Sequence, residues 1–288
     1  MSRVVIAVVA FLATLSAAAQ SQPQPRTWNF WLKTNAQSYR NFYQAPEGSP
    51  EEDVRALQGE LGANYVVSPK VTAYGAVNFL HFDDAALEDS PGLRLGVRGD
   101  ARPHAFDVYV ESLDNRPSFE LDQFAGANIR RLNGNYAYRF AENWQVSADL
   151  ENEKQDLDND LRDNEFRSVG FAVRWRGSRL FSPEIGFRGG ERDVNDDAES
   201  YDQRESYLAI RSQPVRQLYL SVRFRNRQRD YQNIAREDER RQVTIGADYT
   251  VNPHLVLNFY AAGEDAESDR PGRDFDSSYA ILGFTWKF

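Results

Sequence analysis

Cysteine is absent from all 288 residues, which excludes a disulfide framework, a thiol nucleophile and any thiolate metal site. Histidine is nearly so, with three copies, leaving imidazole acid–base chemistry few places to occur. Once the N-terminus is set aside, no apolar run approaches the roughly 20 residues that a spanning helix needs. The mean hydropathy is -0.65, so a helical membrane protein is excluded. Basic residues are outnumbered, 34 Lys and Arg against 43 Asp and Glu. That balance opposes a nucleic-acid footprint, which needs a basic face.

What is present instead is alternation. The N-terminus reads as a secretory signal: Arg3, the apolar run Val4 to Leu15, then Ala17, Ala18 and Ala19 as a small-residue cleavage site. The expected division is a signal peptide over 1–19 and one domain over 20–288. Removing Arg3 and no acids leaves 33 basic against 43 acidic residues, or -10. The last stretch, Ser278 to Phe288, puts Ala280, Leu282, Phe284, Trp286 and Phe288 on one face and Tyr279, Gly283, Thr285 and Lys287 on the other. One face suits lipid and the other water. This ending resembles the C-terminal signature of Gram-negative outer-membrane β-barrels, an alternating strand closed by a terminal Phe with aromatics two and four residues before it. The resemblance implies an all-β fold, a transmembrane antiparallel up-and-down β-barrel surrounded by outer-membrane lipids and lipopolysaccharide. It also implies insertion by the barrel-assembly machinery, with Trp286 and Phe288 as assembly residues, and no cofactor.

The rest of the chain repeats the pattern. Trp28, Phe30 and Leu32 oppose Asn29 and Lys33; Leu93, Leu95 and Val97 oppose Arg94 and Arg98; Trp144, Val146, Ala148 and Leu150 oppose Gln145, Ser147, Asp149 and Glu151. Val54 to Val67 reads two ways, as a helix start after Pro50-Glu51-Glu52-Asp53 or as a strand with Leu57, Leu61, Ala63, Tyr65 and Val67 on one face. The strand is favoured. Short turns at Ser68-Pro69-Lys70, Asp100 to His104, Ala141-Glu142-Asn143, Gly177 to Pro183, Gln213 to Arg216 and Val251 to His254 alternate with longer polar segments. The latter are expected as loops over Pro46 to Glu52, Asp83 to Ser90, Asn152 to Asn164, Glu191 to Arg204 and Glu264 to Asp276. The count is about fourteen strands, with short turns periplasmic and long loops outside. A soluble β-sandwich shows similar strands but has no need for turn lengths to alternate.

Two rows of charge fall on the water-facing phase. Arg174, Arg188, Arg211, Arg223, Arg225, Arg227 and Arg229 occupy the later strands; Asp107, Glu111, Asp149, Glu151 and Glu153 occupy the earlier ones. Strand order around a barrel follows the sequence, so the two signs are expected in opposite or adjoining sectors of the wall. One reading is a lumen with a transverse field that orders dipolar or anionic solutes. The other is that neighbouring Arg and carboxylate ladders pair and brace the wall. The pattern resembles monomeric porins, which implies passive diffusion of small hydrophilic solutes, and the Arg-lined interior is similar to channels for acidic oligosaccharides. Two alternatives stand beside it: a non-conducting structural or surface-binding barrel, and an outer-membrane hydrolase resting on His81 with Asp83. Asp156-Leu157-Asp158-Asn159-Asp160 has the start of a calcium loop, but Leu161 stands where Gly is required and Arg167 where the bidentate Glu belongs. It reads as a solvated loop.

Overall fold

The computed structural model describes residues 28–42, 44, 52–84, 87–118, 125–157, 162–270 and 273–288. The signal sequence expected over 1–19 lies outside them. Fourteen strands follow one another: β1 Trp28–Arg40, β2 Val54–Ser68, β3 Val71–Phe82, β4 Ser90–Ala101, β5 His104–Ser118, β6 Ala125–Ala141, β7 Trp144–Leu157, β8 Asn164–Trp175, β9 Ser182–Val194, β10 Tyr201–Val215, β11 Leu218–Tyr231, β12 Glu237–Asn252, β13 Leu255–Ser268 and β14 Phe275–Lys287. Each pairs antiparallel with its sequence neighbours, and β1 closes on β14 from Trp31↔Lys287 to Arg40↔Ser278. The all-β up-and-down barrel expected from the alternation is the fold, and closure leaves no free sheet edge. The ambiguous Val54 segment is strand.

Alternation places the two faces without exception along β12: Val243, Ile245, Ala247 and Tyr249 look outward, Gln242, Thr244, Gly246 and Asp248 inward. The outward faces expose large apolar side chains over the whole circumference, among them Phe171, Phe187, Phe224 and Leu282. In water such a belt is prohibitive; in lipid it is the solvated surface. Trp28, Tyr65, Tyr136, Tyr138, Trp144, Tyr249 and Trp286 gather near the short-turn end as an aromatic girdle. Four of the five register shifts, Val66/Ser68, Tyr138/Ala141, Ser212/Val215 and Thr250/Asn252, sit beside the short turns, where bulges bend strand ends into tight connections.

The acidic loops are shorter than the sequence suggests. β7 runs to Leu157 and β8 starts at Asn164; β9 runs to Val194 and β10 starts at Tyr201; β13 runs to Ser268 and β14 starts at Phe275. Strands of 12 to 17 residues exceed the roughly 9–11 that cross a bilayer. The excess rises above the membrane on the long-loop side. There both faces meet water or polar partners, so hydrophobic alternation vanishes while the ladder continues. Outward ion pairs mark this rim: Glu165 with Arg167 at 3.0 Å, Arg241 with Glu239 at 2.9 Å and with Glu267 at 3.2 Å. Asp156 of the calcium-like run is at the end of β7, and residues 158–161 lie outside the described set.

Inside, packing is uneven. The largest fully buried side chains, Arg229, Tyr201, Leu80, Val54, Asn41 and Ser90, all lie in the long-loop half. Two apolar clusters sit there, Phe42, Val54, Ala56, Leu80, Phe82 and Leu87 over β1–β4, and Leu113, Ala127, Ile129 and Leu157 over β5–β7. Asn41 and Gln44 hold left-handed backbone, with φ of 50° and 53°, in the turn after β1, where the Gln44 backbone amide donates to the Asn41 carbonyl at 3.0 Å. The Asn41 amide donates to the Asp276 carbonyl at 2.6 Å, tying that turn to β14.

Candidate pore interior

A cavity of about 450 Å³ lies inside the barrel and is walled from both sides. β4–β7 contribute Arg94, Glu111, Arg131, Glu153 and Gln155; β11–β13 contribute Arg225, Arg227, Arg240 and Glu264; Gln44 and Arg116 reach in from the loop end. Barrel curvature brings together strands that are far apart in the chain. The lining counts six arginines (94, 116, 131, 225, 227, 240) against three glutamates (111, 153, 264).

Each of those glutamates is engaged. Glu111 accepts from Arg94 at 2.6 Å and from Arg131 at 3.1 Å, with only 3% of its side chain exposed. Glu153 takes Arg131 and also Arg192, the latter at 3.3 Å. Glu264 lies 3.6 Å from Arg240. Buried carboxylates of this kind persist because the cation and further hydrogen bonds offset their desolvation. Arg131 is the hub, reaching Glu111, Glu151 and Glu153 from one guanidinium. It also shows why the expected separation of charge into sectors is not what the fold contains: Arg94, Arg131 and Arg188 stand among the carboxylates of β5–β7, while Glu184, Glu205 and Glu264 stand among the later arginines.

The residues singled out from the sequence all occupy the inward phase but differ in environment. Arg188 donates to Asp149 at 2.6 Å and to Glu151 at 3.3 Å. Arg211 clasps Glu184 with both terminal nitrogens, at 2.7 and 3.1 Å. Arg174 hydrogen-bonds the Ser182 hydroxyl at 3.0 Å, and Asp107 accepts from the Tyr74 phenol at 2.7 Å. Along β11, Arg223 covers the Tyr207 ring at 4.7 Å. Arg225 and Arg227 share one carboxylate, Glu205, at 3.6 and 3.5 Å. Arg229 is 1% exposed, stacked on Tyr201 at 4.6 Å and bonded to Gln203, so it belongs to the packed wall of the outer end. Sequence reasoning put Arg94 on the polar phase of its strand without a role in the lumen, and passed over Arg131, Arg192, Arg240, Glu184, Glu205 and Glu264. Their period-two phase was the available signal, but adjacent pairs such as Arg130-Arg131 and Arg240-Arg241 put an arginine on either face and blur it.

At the seam, Trp286 faces lipid between Leu32 of β1 and Leu255 of β13, and the Phe288 amide donates to the Phe30 carbonyl at 2.9 Å. His81 points outward on β3 and meets Asp89 at 2.6 Å, both half-exposed. Asp83, its expected partner, accepts the Arg55 backbone amide instead, so the arrangement read from adjacency is not formed. Among the described residues no group of three or more His, Cys, Asp or Glu is disposed to hold a metal ion.

The family model described as "Putative beta-barrel porin 2" matches residues 199–288, the span of β10–β14. No curated protein matches the sequence. Among solved structures, the outer-membrane expressed OmpT of Vibrio cholerae is similar over 92% of this chain and 99% of its own, with 9% identity and a TM-score of 0.54. A bacterial polysaccharide outer membrane secretin is similar over 90% and 98%, with 12% identity and a TM-score of 0.54. OmpF of Salmonella typhi, in complex with daunomycin, is similar over 91% and 97%, with 10% identity and a TM-score of 0.51. Identities this low carry a shared barrel fold and nothing finer. With the lipid-facing belt and the closed ladder, the chain is an outer-membrane β-barrel whose β10–β14 portion matches a porin family model.

Proposed function

We propose that the barrel is a diffusion channel for small hydrophilic solutes, with a preference for anions such as acidic sugars, and that it is not an enzyme. The carrying observation is the composition of the lumenal cavity: six arginines against three glutamates, each glutamate already held by arginine. A passing ion responds to the charges within about 8 Å of it at physiological ionic strength. The local excess of guanidinium therefore outweighs the chain's total charge of -9. Guanidinium forks also match carboxylates in two-point contacts. Below the cavity, Arg174 and Arg176 hydrogen-bond the neutral side chains of Ser182 and Gln145, continuing a basic wall toward the periplasmic mouth.

Reversal potentials of the reconstituted barrel across a salt gradient test this reading, with anion preference the expected result and cation preference the refuting one. A second reading, a non-conducting barrel, draws on the two apolar clusters packed into the outer half of the lumen. Absence of any conductance in the reconstituted wild type selects it.

A further inference from the structure

The exterior carries a feature that neither channel reading uses. Arg130 of β6 and Lys154 of β7 are direct cross-strand partners, Arg130↔Lys154, and both are exposed on the lipid-side phase. Like charges placed directly opposite destabilise a sheet. The protein answers them only in part: Lys154 pairs across β7–β8 with Glu165 at 3.8 Å, a carboxylate that it shares with Arg167 at 3.0 Å and Asn152 at 2.7 Å. Ser112, opposite Arg130 on β5, is neutral.

Their position gives the pair a meaning. They stand one step above Leu132, where the apolar belt ends on the long-loop side. Directly beneath is an outer-wall hollow of about 350 Å³ lined by Leu93, Leu95, Val110 and Leu132 with Arg130 and Lys154 at its rim. A paired cation site over an apolar hollow fits a molecule with a phosphate head and acyl chains, lying in the leaflet that the long loops face.

We infer that Arg130 and Lys154 bind a phosphate of lipid A in the outer leaflet, with an acyl chain in the hollow below. Arginine supplies a planar fork for two phosphate oxygens and lysine a point charge. The bound dianion converts cross-strand repulsion into a shared contact. A free phosphate lacks the chains that the leucines would cover. A phosphodiester lipid brings one negative charge where the pair matches two.

Native mass spectrometry of the full, folded barrel in detergent tests this, with purified bisphosphorylated lipid A, its dephosphorylated form and phosphatidylglycerol as probes. The unaltered chain should retain bisphosphorylated lipid A about tenfold better than the dephosphorylated form, the scale of one or two charge-assisted contacts. The R130Q/K154Q variant should lose that preference, and R130K should keep it. Equal retention of the two lipid A forms, retention unchanged in the double variant, or phosphatidylglycerol held as well as lipid A would each overturn the assignment. The lipid comparison uses the unaltered chain, so a folding defect in a variant leaves the test intact.

Discussion

Replacing Arg225 and Arg227 together by Gln probes the lumenal charge balance with little change in shape. A cavity of about 450 Å³ places an ion at its centre roughly 6 Å from the surrounding guanidinium groups. Even at the dielectric of water a unit charge at that distance is worth about 0.7 kcal/mol, and roughly half that after screening with a Debye length of about 8 Å. An excess of three positive charges, from six arginines and three glutamates, then favours an anion by about 1 kcal/mol and disfavours a cation equally. The resulting anion-to-cation ratio is on the order of 30. Removing two charges leaves an excess of one and lowers the ratio to about 3. Glu151 and Glu205, which stand behind the lining against Arg131, Arg225 and Arg227, lower the ratio in the unaltered chain and the variant alike. Reversal potentials in a planar bilayer read the ratio directly, with Arg204→Gln at the exposed outer rim as a control that should change little. A double variant with the wild-type ratio refutes the claim that these two arginines set ion preference.

Three further outcomes are expected. Glu111→Gln strands Arg94 and Arg131 beside each other; since Arg131 keeps Glu151 and Glu153, the loss should be about 2–3 kcal/mol, below the usual figure for breaking a buried pair, as read by urea unfolding in micelles. Changing Trp286 and Phe288 to polar residues, or deleting Phe288, should cripple assembly without touching the lumen, because β14 closes the barrel by pairing with β1 on one side and β13 on the other; wild-type amounts of heat-modifiable barrel in membranes would refute it. Cleavage after Ala19 should leave a chain beginning at Gln20 in the outer-membrane fraction, and intact-mass analysis that finds residues 1–19 retained would reject the proposed signal.

Much of this protein was legible from the sequence alone, because a strand in a two-sided environment writes that environment into every second residue. Trp144, Val146, Ala148 and Leu150 against Gln145, Ser147, Asp149 and Glu151 needed no coordinates to define a lipid face and a water face. The alternating lengths of turns and loops carried the barrel topology, and period two put Arg174 through Arg229 and Asp107 through Glu151 on the inward phase. The signal failed where the environment stopped being two-sided: above the membrane, Asn152–Leu157, Glu191–Val194 and Glu264–Ser268 continue as strand with polar residues on both faces, and they read as loops. Only the tertiary structure decided which charges meet. Register sets Arg131 between Glu111 and Glu153, and Glu151, two residues from Glu153 along β7, reaches the same guanidinium. Curvature then carries Arg225 and Arg227 across to the cavity that Arg131 and Glu153 wall from the other side. Height along the axis, which alternation does not encode, separates Arg229, buried against Tyr201, from Arg225 two steps below it. Phase is a local property of the chain, whereas partner and depth depend on how fourteen strands close.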